Sequence, residues 1–135
     1  QSGESIPVMT VDSLRLARCN LIKIDIEGME PQVLSGARRT IERLRPFIFV
    51  ETTMVNSKAV IEILTSLRYD CRWHIADYYN PGNYFQNSEN VFQGIHPESN
   101  MVCFPREASV STSGLEPVTG PDDNWQLALE RIRKK

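Results

Sequence analysis

Between Asn20 and Val50 the chain carries a strand signal, a helix signal and a second strand signal in close succession. Asn20 to Ile26 is a nearly continuous apolar run, as expected for a strand buried on both faces. From Glu30 to Leu44, Val33, Leu34, Ala37, Ile41 and Leu44 fall on one helical stripe, while Arg38, Arg39, Glu42 and Arg43 face away. Pro31 suits the first turn of that helix, where its missing N–H costs little. Arg45-Pro46 ends it, because the residue before a proline avoids helical geometry. Phe47 to Val50 is the next buried strand and ends in Glu51. Strand, helix and strand with short connections predict a right-handed crossover and parallel pairing, hence an α/β fold.

Outside this unit the signals are shorter. Ile6–Val11 is a strand candidate, and Asp12 stands at an N-cap position for a brief helix through Ala17. Asn56 or Ser57 caps a helix over Lys58–Leu67, whose stripe is Val60, Ile61, Leu64 and Leu67. Cys71–Ile75 and Asn100–Phe104 are further strands. No helix separates them, so the last is expected to return antiparallel in a mostly parallel sheet. The connection from Asp77 to Ser99 interleaves Asn, Pro and Gly with Tyr78, Tyr79, Tyr84, Phe85 and Phe92. A loop longer than about 12–15 residues is usually a lid, a binding loop or disordered, and these aromatics argue against disorder. Residues 1–106 read as the main domain, 107–123 as a linker and 124–135 as a terminal helix with Trp125, Leu129 and Ile132 on one side.

Composition narrows the partners. A net charge of −2 over 135 residues leaves no basic footprint for nucleic acid. No apolar run approaches the roughly 18–20 residues of a membrane span. Cys19, Cys71 and Cys103 are an odd, widely spaced set without a CxxC pair, which reads as reduced, mostly buried and cytoplasmic. The first residue is Gln1, so the chain is expected to be part of something longer.

Chemistry concentrates where the first buried strand meets the helix. Asp25, Glu27 and Glu30 fall within six positions around Gly28. Ligands of open α/β sheets bind beyond the carboxyl ends of the parallel strands, which is where these acids lie. Glu51 ends the neighbouring strand and should stand beside Asp25 at the same edge. Lys23, inside an apolar run, is expected to pair with a nearby acid. Each acid also has a structural reading, as a helix cap or a partner of backbone N–H groups in the turn. His96 and Asn90, in the long loop, are candidates for the wall of a binding cleft, whereas His74 reads as an ordinary strand residue. A metal held by Asp25, Glu27 and a histidine would suit a hydrolase, but no HxH or DxD cluster supports it, so no metal is expected.

The chain resembles the FkbM-type methyltransferases. The resemblance rests on Thr10-Val11-Asp12-Ser13-Leu14, Leu21-Ile22-Lys23-Ile24-Asp25-Ile26-Glu27-Gly28-Met29-Glu30, Val33-Leu34-Ser35-Gly36-Ala37 and Arg45-Pro46-Phe47-Ile48-Phe49-Val50-Glu51. Asn90-Val91-Phe92 and Asn100-Met101-Val102-Cys103-Phe104-Pro105 look like the closing segment of the same family, so the similarity covers roughly residues 6–106. It implies a Rossmann-like class I methyltransferase fold, S-adenosylmethionine as cofactor and O-methyl transfer to a hydroxyl of a small molecule or sugar. It also implies that Asn20–Ile26, Phe47–Val50, Cys71–Ile75 and Asn100–Phe104 are strands four to seven of seven. On this reading Asp25 and Glu27 are the leading general-base candidates, with Glu51, His96 and Asn90 on the acceptor.

The glycine-rich turn and ribose acid of such enzymes are not found here, since the only glycine before Gly28 is the isolated Gly3. The chain therefore reads as the C-terminal, acceptor-side half of the domain, expected to be inactive alone. The edge of its first buried strand should be covered by missing residues, by a second copy or by rearrangement. The alternative is a non-catalytic interaction module that keeps the fold.

Overall fold

The computed structural model describes residues 3–134. Gln1, Ser2 and Lys135, the last assigned above to the terminal helix, lie outside the described residues. The strand–helix–strand unit is present, with β1 at Leu21–Ile24 and β2 at Phe47–Glu51 paired in parallel, Ile24 level with Val50. Between them the expected single helix is two, α1 Glu30–Gly36 and α2 Arg38–Leu44. Asp12 accounts for the break. Its carboxylate accepts from the backbone N–H of Arg39 at 3.0 Å and of Thr40 at 2.8 Å. A continuous helix would give those two donors to the carbonyls of Ser35 and Gly36. Asp12 therefore does not cap a helix of its own. Thr10 caps a short 3-10 turn at Val11–Leu14, which Arg15 ends in the left-handed conformation.

Residues Ile6–Val11 form no strand. Val8 is 92% exposed, and no described strand takes this segment as a ladder partner. Pro7 also removes one of its backbone donors.

The remaining elements are α3 Ser57–Ser66, β3 Tyr69–Ala76, β4 Glu98–Pro105, β5 Glu116–Pro117 and α4 Trp125–Arg133. The sheet order is β1-β2-β4-β3-β5. β4 lies between β2 and β3 and is antiparallel to both, while β5 is antiparallel to β3. The expected antiparallel return of the last long strand is present, but the sheet is not mostly parallel. Among the described residues only β1 and β2 pair in parallel, because β4 returns without the crossover helix that parallel pairing requires.

Alternation along the strands sets the two faces. Ile24, Ile48, Val50, Cys71, Trp73, Met101 and Cys103 join buried residues of the helices in one core. Leu21, Lys23, Phe47 and His74 are on the other face and exposed. β1 is thus not buried on both faces, with Leu21 61% exposed, because it is an edge strand with helices on one side.

The C-terminal segment packs against β3. Arg131 bridges Asp123 at 2.7 Å and Glu116 at 2.9 Å, both acids being buried, and the Trp73 indole N–H donates to Asp123 at 3.1 Å.

Candidate functional site

Parallel pairing brings the C-terminal ends of β1 and β2 to one level, so Asp25 and Glu51 meet there. There the Glu51 carboxyl, when it holds its proton, donates to the Asp25 carboxylate. Asp25 also forms an ion pair with Lys23, the predicted pairing, although both side chains are about half exposed rather than buried. The Lys23 ammonium, followed by the Glu51 bond, holds the Asp25 carboxyl below the usual range. Burial, followed by the Asp25 bond and the charges of Asp25, Glu27 and Glu30, pushes Glu51 up to about 6. The raised acid of the pair is therefore Glu51.

The turn between β1 and α1 is built on strained backbone. Glu27 has φ 50° and Gly28 φ 94°. Such angles favour glycine and cost other residues about 1–2 kcal/mol. Glu30 holds this turn from beneath. It is 1% exposed, Oε1 accepts from the Gly28 N–H at 3.0 Å, and Oε2 accepts from the Asn56 amide. Asn56 in turn accepts from the Thr53 N–H at 2.7 Å, so a chain of bonds with the buried Glu30–Asn56 link at its centre ties the β1–α1 turn to the β2–α3 loop. The predicted place of Glu30 in the first helical turn is correct, and its side chain serves as an internal tether.

A cleft of about 410 Å³ opens at this edge, with Glu51, Thr52, Tyr78, His96 and Trp125 in its wall. The His96 and Trp125 rings pack at 5.2 Å. The structure thus brings Glu51 and His96 together, while Asp25 reaches the cleft through Glu51. Glu27 is exposed on the turn and adds its charge. Asn90 lies in the wall of an adjoining cleft of about 430 Å³, which shares Tyr78, Ile95 and Pro97 with the first. There its Oδ1 accepts from the Phe92 N–H at 2.9 Å. His74 stacks edge-on with Phe49 at 5.7 Å and is not in either wall. Trp125 was readable only as part of a packing stripe. Its place beside Glu51 depends on how α4 folds back, which no local pattern encodes. No group of three or more His, Cys, Asp or Glu among the described residues is arranged to hold a metal ion. No described helix is long and apolar enough to cross a membrane.

The sequence profile of the FkbM methyltransferase domain matches residues 2–71, more than half of the chain. This chain belongs to the FkbM methyltransferase family. No curated protein and no solved structure matches it. The part of this FkbM-family chain that matches runs from before the 3-10 turn into β3. It contains Asp25, Glu27, Glu30 and Glu51, whereas the long loop, β4 and α4 lie beyond it.

A methyltransferase family implies S-adenosylmethionine, and the described residues do not form a cradle for it. Gly28, the glycine between β1 and α1, gives its N–H to Glu30. No further glycine stands beside it to bring backbone close to a ligand.

Proposed function

We propose that this protein carries the acceptor side of an S-adenosylmethionine-dependent O-methyltransferase of class I, Rossmann-like fold, acting on a hydroxyl of a small molecule or sugar. The observation that carries the reading is the Asp25–Glu51 pair at the end of two parallel strands, with Glu51 in the wall of a cleft. An acceptor hydroxyl must lose its proton as it is methylated, and a carboxylate within hydrogen-bond reach can take it. Glu51 suits that role. With its pKa near 6 it remains largely ionised at neutral pH and is a stronger base than an ordinary glutamate. Asp25, paired with Lys23, stays ionised, and its charge strengthens the hold of Glu51 on the proton it takes up. Tyr78, His96 and Trp125 supply a wall against which the acceptor is held at near-attack distance. All of these roles lie on the acceptor side. The test is transfer of labelled methyl from S-adenosylmethionine to a panel of polyols and sugars by the protein expressed from its complete coding sequence. Label should appear in an acceptor and fall at least about 100-fold in Glu51→Gln. No transfer to any acceptor would sink the proposal.

The missing cradle favours one second reading, a non-catalytic interaction module of the same fold. Calorimetry of the same full-length protein with S-adenosylmethionine separates the two. Binding supports the enzyme, and no heat at millimolar cofactor supports the module.

A further inference from the structure

Cys71 and Cys103 are direct cross-strand partners on the antiparallel pair β3 and β4. Both side chains lie on the helix-covered face and belong to one buried core. Directly opposed residues of antiparallel strands have Cα atoms about 4.5–5.5 Å apart. A disulfide needs about 4.4–6.8 Å, so the strands can stay where they are. The two thiols differ in access. Cys103 is fully buried, whereas Cys71 is 9% exposed and reaches the wall of a cleft of about 300 Å³ between α3, β3 and β5. Cys19 is outside this core and bonds its thiol to the Leu21 carbonyl at 3.5 Å.

We propose that Cys71 and Cys103 are a redox-modification site that closes to a disulfide under peroxide, with Cys71 as the entry thiol and Cys103 as the resolving thiol. Peroxide entering the cleft transfers one oxygen to the Cys71 sulfur. The O–O bond breaks, a sulfenic acid forms and one water leaves. The Cys103 sulfur then attacks the Cys71 sulfur. The S–O bond breaks, and the departing hydroxide takes the Cys103 proton as a second water. Two thiols are oxidised by two electrons and one peroxide is reduced. The crosslink brackets the whole 77–97 loop, which borders both clefts at the candidate site. Oxidation therefore adds a covalent tie to the ladder at the base of that loop and leaves the loop's own length unchanged. The odd cysteine count resolves into this pair and a separate Cys19.

Peptide mapping of the intact native chain tests this directly. Trypsin cuts after Arg18, Lys23, Arg68, Arg72 and Arg106, so each cysteine falls in its own peptide. After mild hydrogen peroxide and blocking of free thiols in denaturant, the 69–72 peptide should be joined to the 73–106 peptide. The intact mass should fall by two hydrogens, and Cys19 should remain blockable. Dithiothreitol should reverse the link together with a rise of several degrees in melting temperature. The Cys19→Ser variant should crosslink like the native chain. Three blockable thiols after treatment, a link through Cys19, or sulfinic acid at Cys71 with free Cys103 would each overturn the proposal.

Discussion

Asp25 and Glu51 stand side by side at the ends of two parallel strands, and their surroundings push the two acids in opposite directions. Asp25 answers to the Lys23 cation. Glu51 answers to burial and to the negative charges around it. The pair therefore separates into a fixed carboxylate and a titrating one.

That separation predicts a pH dependence. Glu51, raised from 4.5 to about 6, holds its proton longer when folded than when unfolded. Its contribution to stability is fully present below about 4.5 and is lost as the pH rises through about 6. Asp25 has the opposite sign. Its contribution is present above 3.8 and is lost as the pH falls through its lowered folded value. Carboxyl carbon NMR on the labelled protein should show Glu51 titrating near 6. Asp25→Asn should bring that midpoint down, and an unchanged midpoint would refute the pairing.

Glu30 is the second test. Glu30→Ala strands the buried Asn56 amide and removes the acceptor of the Gly28 N–H, at a cost of about 2–3 kcal/mol. Urea unfolding reads that loss. Glu30→Gln keeps the volume and one acceptor, so it should cost clearly less.

Asp12 should behave as a helix cap acting from outside the helix. Against the burial that would raise it, hydrogen bonds from Thr40 and Arg39 hold its carboxyl below the usual range. Asp12→Ala should cost about 1 kcal/mol in urea unfolding, with less helical circular dichroism as α2 loses its first turn. A neutral substitution would mean that the break at Ala37 has another cause.

Arg131→Met should be among the most damaging single changes. It leaves Asp123 buried without its cation and takes the Arg131 bond from Glu116, at about 3–5 kcal/mol. Burial would raise Asp123, but the Arg131, Thr119 and Trp73 bonds hold it low. In the native protein this part of stability is present above 3.8 and is lost as the pH falls. Thermal melts across acid pH should therefore be steeper for the native protein than for the variant.

Local chemistry explains which features could be read in advance. The stripe from Val33 to Leu44 and the stop at Arg45-Pro46 are properties of adjacent residues, and α1, α2 and β2 follow them. The parallel pairing of β1 and β2, and hence the meeting of Asp25 with Glu51, follows from the crossover they imply. The helix break did not show because its cause, Asp12, stands 27 residues before Arg39. The assignment of the raised acid needed burial and neighbouring charge together, which spacing does not give. Trp125 reaches Glu51 only through the packing of α4 on β3 and β5.

The position of β4 has a consequence for the order in which a ribosome could deliver this sheet. β3 leaves synthesis before either of its partners, since β4 and β5 both follow it in the chain. Until Glu98–Pro105 emerges, β2 lacks its second neighbour and β3 has none. The stretch that marks the family ends at residue 71, before β4 is made. Within this chain, its hallmark acids come first and the strand that locks β2 to β3 comes almost 50 residues after Glu51.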